Sequence, residues 1–90
     1  MAKAVITIKI MPESPEVDLA KLEQDCKEII TEFGGDVGKV EKEPVAFGLV
    51  SVSLIFVMDE TKGTEELEVK LSAVDGVQSA TVTDFRRAIG

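Results

Sequence analysis

The chain has 90 residues, with 17 Asp and Glu against 10 Lys and Arg, a formal net charge of −7 and no histidine. This length suits one domain, residues 1–90, with a two-layer core that needs no metal or disulfide staple. The acidic balance argues against direct nucleic-acid binding and for a partner with a basic surface. One cysteine, Cys26, and no histidine remove Cys- and His-based zinc sites, Ser-His and Cys-His nucleophiles and imidazole acid–base chemistry. No segment carries the ~18 apolar residues that span a bilayer, and the N-terminus lacks the apolar run of a secretory signal, so no membrane association and a cytoplasmic location are expected.

Residues 2–11 alternate, with Ala4, Ile6, Ile8 and Ile10 on one face and Lys3, Val5, Thr7 and Lys9 on the other, which predicts a half-buried strand ended by Pro12. An acidic, proline-containing connector follows to Asp18. The Asp18 carboxylate is placed to accept from the first free N–H groups of a helix starting at Leu19, with Val17 and Leu22 at the spacing of a hydrophobic staple. In that helix Leu19, Leu22, Cys26, Ile29, Ile30 and Phe33 form an apolar stripe, which makes Cys26 a small core residue, and Gly34-Gly35 stops it.

Asp36 to Glu43 reads as a charged edge strand. The sequence Pro44-Val45-Ala46-Phe47-Gly48 then leads into Leu49–Met58, an uncharged run rich in β-branched residues. It predicts a central strand with Val50, Val52, Leu54, Phe56 and Met58 on the covered side and Ser51, Ser53, Ile55 and Val57 on the other. Phe47 is an aromatic in a turn that ordinarily takes polar residues, outside the strand alternation, and is expected to be exposed. Asp59 to Gly63 is a turn, Thr64 the expected N-cap of a second helix carrying Leu67, Leu71 and Val74 inward, and Asp75-Gly76 its end. A last strand from Val77 to about Phe85 sets Val77, Ser79, Thr81 and Thr83 against Gln78, Ala80, Val82 and Asp84. The only two arginines, Arg86 and Arg87, follow as an exposed tail.

The order β-α-β-β-α-β predicts an α+β, ferredoxin-like sandwich, a four-stranded antiparallel sheet with both helices on one face and the first and third strands central. No phosphate cradle, zinc motif or base–nucleophile pair is visible, so no enzyme is expected. The RNA-binding form of this fold displays strand aromatics, whereas Phe56 lies on the covered face and Tyr and Trp are absent. Two other readings stay open: a regulatory or oligomerising module that binds a metabolite, and a divergent acylphosphatase-like enzyme, for which Gly76-Val77-Gln78 is a faint echo of the phosphate loop.

Three stretches together carry a more specific signal: Met11-Pro12-Glu13-Ser14-Pro15-Glu16-Val17-Asp18-Leu19, Pro44-Val45-Ala46-Phe47-Gly48-Leu49, and Val77-Gln78-Ser79 through Asp84-Phe85-Arg86-Arg87. In order and spacing they resemble the archaeal translation elongation factor 1-beta family and the C-terminal exchange domain of its eukaryotic counterpart. The resemblance implies a guanine nucleotide exchange factor for the GTPase elongation factor 1-alpha; separately, no cofactor or metal and a monomeric free state are expected. It also implies partner contacts at Arg87, where the eukaryotic domain has lysine, at Phe47 of the Phe-Gly turn and at Lys3; Gly48 of that turn and the neighbouring Arg86, through its charge, are expected to join them, Arg86 by steering encounter.

Overall fold

The computed structural model describes residues 3–88, and the order of elements is β-α-β-β-α-β as expected: β1 (Lys3–Pro12), α1 (Leu19–Phe33), β2 (Asp36–Pro44), β3 (Val50–Asp59), α2 (Thr64–Ser72) and β4 (Val77–Ala88). The strands form one antiparallel sheet in the order β2-β3-β1-β4, which puts the two most apolar strands in the middle. This is the ferredoxin-like α+β sandwich.

The β1–β3 register explains the core. Ala4, Ile6, Ile8 and Ile10 face Met58, Phe56, Leu54 and Val52, and because paired residues share a face, all eight point to the same side. Each is fully buried there beneath Leu22, Cys26 and Ile30 of α1 and Leu67 and Leu71 of α2. The opposite face has no helix over it: Val5, Thr7, Lys9 and Ile55 are half-buried and Val57 is exposed.

The caps fit their residues. Asp18 Oδ1 accepts from Ala20 N at 3.1 Å and Lys21 N at 3.3 Å, and Val17 and Leu22 both border Gly76. Gly34 closes α1 at φ 104°, a left-handed conformation that costs glycine little, and Gly35 N returns to Ile30 O at 2.8 Å. Cys26 is buried, and burial, with a smaller push from Asp25, raises its thiol from 9.0 to about 12. A thiol so far from ionisation packs as a small apolar group and is no nucleophile.

Four expectations about caps, element ends and register change. The N-cap of α2 is Gly63 rather than Thr64, so no side chain caps that helix and Glu65 and Glu66 supply the favourable charge in its first turn. The same helix ends at Ser72, ahead of Asp75-Gly76. In β1, Pro12 is the last strand residue, paired with Val77, rather than the stop after it. The largest change is in β4, where the register slips at Thr7/Ile8 and at Met11/Pro12, leaving Thr83 and Gln78 as extra residues. Each slip reverses the alternation: the one at Gln78 brings Val77 to the core side with Ala80 and Val82, and the one at Thr83 puts Phe85 and Arg87 on that side in turn. Glu68 of α2 accepts from Val82 N at 2.7 Å beside the upper bulge.

Candidate functional site

The sequence-predicted contact residues collect at the two ends of the sheet. From Lys3 to Met11, β1 rises eight steps, about 26 Å at ~3.3 Å per residue, within a molecule 41 Å long. Phe47 and Gly48 belong to the Met11 end, and Lys3, Arg86 and Arg87 to the other.

At the first end β2 and β3 meet in a tight hairpin. Leu49 N donates to Ala46 O at 3.3 Å and Val45 N to Leu49 O at 2.7 Å. The two residues at the tip have positive φ, Phe47 at 63° (ψ 30°) and Gly48 at 76°. The Pro44–Val50 pair and the Val45–Leu49 bond leave a three-residue loop, Ala46 to Gly48, and the two successive positive φ values within it are those of a primed turn. Glycine adopts it freely, whereas a bulky side chain in the left-handed region is strained by ~1–2 kcal/mol. Phe47 nonetheless occupies it, and its side chain is 92% exposed. Two neighbours fix the turn's position. The Pro15 ring lies alongside Gly48, and Ser51, fully buried at the base of the hairpin, donates through Oγ to Glu43 O at 3.3 Å.

At the second end the two arginines are strand residues, not a tail. Arg86 pairs with Val5 and Arg87 with Ala4 in the β1–β4 register, and successive strand residues face opposite ways. Arg86 therefore shares the open face with Lys3, while Arg87 projects toward the helix side. Arg86 Nε lies 3.0 Å from Asp84 Oδ2, an ion pair exposed on both sides. Arg87 Nε lies 2.8 Å from Glu60 Oε2, and here the partner is different: Glu60 comes from the β3–α2 turn and its Oε2 is shut off from solvent. The contact is close enough for a strong Coulombic attraction, but the N–H is not aligned on that oxygen as in a hydrogen bond.

The turn carrying Glu60 is braced on both sides. Asp59 Oδ1 accepts from Thr61 N at 2.9 Å and Thr61 Oγ1 at 2.8 Å. The Thr61 backbone bond first, the hydroxyl second, and weaker attraction from Lys3 and Lys62 hold the Asp59 carboxyl below its ordinary 3.8. Lys62 Nζ donates to Phe33 O at 2.7 Å, tying the turn to the end of α1. An open groove of 740 Å³ between α1 and α2 passes this point, and its two lysines, Lys62 and Lys70, stand 5.6 Å and 5.3 Å from the Phe33 ring centroid.

Glu60 was not among the residues singled out in the sequence, because nothing in Asp59-Glu60-Thr61-Lys62-Gly63 distinguishes it from any solvated turn acid. Among the described residues no group of three or more His, Cys, Asp or Glu is arranged to hold a metal ion. No helix among them is long and apolar enough to cross a membrane.

The chain as a whole is similar to known proteins. The family model described as EF-1 guanine nucleotide exchange domain matches residues 5–88. The chain is 46% identical to elongation factor 1-beta of Methanothermobacter thermautotrophicus over 88 residues, covering 97% of this chain and 98% of that one. It is 40% identical to elongation factor 1-beta of Methanosphaera stadtmanae over the same span and coverage. Among solved structures, the C-terminal domain of the MgtC protein from Mycobacterium tuberculosis superposes with a TM-score of 0.63 at 11% identity, covering 98% of this chain and 88% of that one, a likeness of fold alone.

Proposed function

The chain belongs to the EF-1 guanine nucleotide exchange domain family, and we propose that residues 1–90 form one cytoplasmic exchange unit, monomeric when free, that promotes GDP release from the GTPase elongation factor 1-alpha so that it can rebind GTP. Phe47, Gly48, Lys3, Arg86 and Arg87 are its partner contacts, and nucleic acid is not bound directly.

The observation that carries the assignment of contacts is Phe47. A large apolar side chain held 92% exposed at a left-handed backbone position adds nothing to the core and strains the turn. A strained, exposed aromatic on a short rigid hairpin has the character of a binding anchor, since aromatic anchors account for much of the energy of protein interfaces.

The chemistry at the other end is electrostatic. A nucleotide bound to a GTPase is held partly through magnesium, whose charge offsets the phosphates. A guanidinium brought beside that ion competes with it, because two cations repel at short range and the phosphates are weakly held once the metal leaves. The Arg87 side chain is 75% exposed, which supports this role for it. Such a factor favours the nucleotide-free state and makes or breaks no covalent bond, which is why it needs no nucleophile or general base.

The test is the release of fluorescent GDP from elongation factor 1-alpha chased with excess nucleotide. The expected result is acceleration that grows with the concentration of this protein and is opposed by added magnesium. Release at the uncatalysed rate at every concentration would overturn the reading.

A further inference from the structure

We propose that Glu60 is a positioning residue for Arg87: it grips the guanidinium at its root and fixes the direction in which the rest of the group points. This inference rests on the exchange reading of Arg87 given above. Three observations carry it.

The first is which nitrogen is used. Glu60 Oε2 meets Arg87 at Nε, 2.8 Å away. The guanidinium has five N–H donors in a fixed plane, one on Nε and four on the terminal nitrogens, so a contact at Nε meets the group at the end nearest its stem.

The second is the asymmetry of burial. The Glu60 side chain is 24% exposed and its Oε2 is sealed from water with no aligned hydrogen-bond donor among the described residues, whereas the Arg87 side chain is 75% exposed. A carboxylate oxygen removed from water without a donor leans on the neighbouring cation for its stabilisation. The fixed partner is therefore the acid, and the arginine is oriented by it.

The third is the rigidity of the support. Glu60 lies between Asp59, locked to Thr61, and Lys62, locked to the carbonyl at the end of α1. The Arg87 backbone is in turn fixed opposite Ala4 in the sheet. Two elements that meet nowhere else in the candidate site thus define one guanidinium. The Asp84–Arg86 pair has none of this: its two members are neighbours on one strand and both are exposed, so it is screened and adaptable.

Glu60→Gln keeps the shape and removes the charge. In the GDP-release assay with elongation factor 1-alpha it is expected to lower the maximal release rate about two- to fivefold, the range set by a half-exposed pair, with the half-saturating concentration unchanged. In the Arg87→Ala background the same substitution is expected to have no effect, and in the Arg87→Lys background little, because a compact ammonium has no planar group whose direction a contact near its stem could set. An equal loss in both the wild-type and Arg87→Ala backgrounds would make Glu60 merely structural and overturn the inference. So would an unchanged rate in Glu60→Gln, or a faster one, which would make Glu60 a mask. If Arg87→Ala itself exchanges at the wild-type rate, the reading of Arg87 has failed, and that result is separate from all of these. Should Glu60→Gln fold poorly, relaxation of the Arg87 Nε–H group by nuclear magnetic resonance in the wild-type protein decides the matter: a side chain as rigid as the strand backbone supports the grip, and free rotation overturns it.

Discussion

The two ends of the sheet hold their proposed contact residues in opposite ways. At the hairpin end, backbone geometry does the positioning: the primed turn, Pro15 and Ser51 set where Phe47 stands, and its ring touches nothing that holds it. At the arginine end, the side chains are held by other side chains, through Arg87–Glu60, Arg86–Asp84 and the braced Asp59–Lys62 turn. The difference teaches that an apolar anchor needs only to be presented, because contact with any complementary surface stabilises it. A charged group that must meet one ion in one place needs its direction fixed beforehand, since disorder and screening both weaken it.

The sharpest way to break this comparison is at the arginine. Arg87→Ala is expected to cut the maximal rate of GDP release by about 10- to 100-fold, the range for losing a charge-assisted contact worth ~1.5–3 kcal/mol. Stopped-flow measurement at saturating factor reads this directly. Next in size is the hairpin. Phe47→Ala is expected to weaken binding to elongation factor 1-alpha by about 30-fold, as for an anchor worth ~2 kcal/mol, with unfolding free energy unchanged to within ~0.5 kcal/mol because the ring is outside the core. Phe47→Asn sharpens the point, since Asn-Gly is the favoured pair for a primed turn. It is expected to raise stability by up to ~1 kcal/mol in denaturant titration while binding falls as in Phe47→Ala.

Smaller again is Arg86→Ala. Its loss of exchange is expected to stay within about fivefold and to fade at high salt, because an exposed charge acts over a screening length of ~8 Å at physiological ionic strength. The same salt is expected to leave the Phe47 contribution intact. The smallest effect is that of acid on the braced turn. The Asp59 carboxyl is depressed below 3.8, so its bonds to Thr61 stabilise the fold fully above that pH and are lost as pH falls through the lowered value. Asp59→Asn is expected to remove that part of the acid dependence in thermal unfolding curves and leave the neutral range nearly flat.

The sheet order, both helices and the covered face were legible because the hydrophobic periods are strong: Ala4 to Ile10 and Val52 to Met58 alternate without a fault, and α1 carries an unbroken stripe closed by glycines. The exposure of Phe47 was also legible, from an aromatic lying between a proline and a glycine. The end of β4 was not. Two bulges reverse its alternation, and no residue type marks an extra residue at Gln78 or Thr83, so the pattern seemed to run out at Phe85 and Arg86 and Arg87 read as a tail. Their true place is set by pairing with β1, a contact remote in sequence. It follows that truncation after Phe85, which as a tail removal would spare the fold, removes the strand pairs at Lys3, Ala4 and Val5 and is expected to destabilise the protein as well as stop exchange. Glu60 was invisible for a related reason, because its significance lies in the arginine it meets across 27 positions of chain.

The division of labour between the two ends is tested most directly by one titration: GDP release from elongation factor 1-alpha, followed over a full range of factor concentration for wild type, Phe47→Asn and Arg87→Ala. The predicted result is that Phe47→Asn shifts the half-saturating concentration upward while reaching the wild-type plateau, and Arg87→Ala keeps the half-saturating concentration while its plateau collapses. Curves in which both substitutions move the same parameter would contradict the separation of anchor from effector.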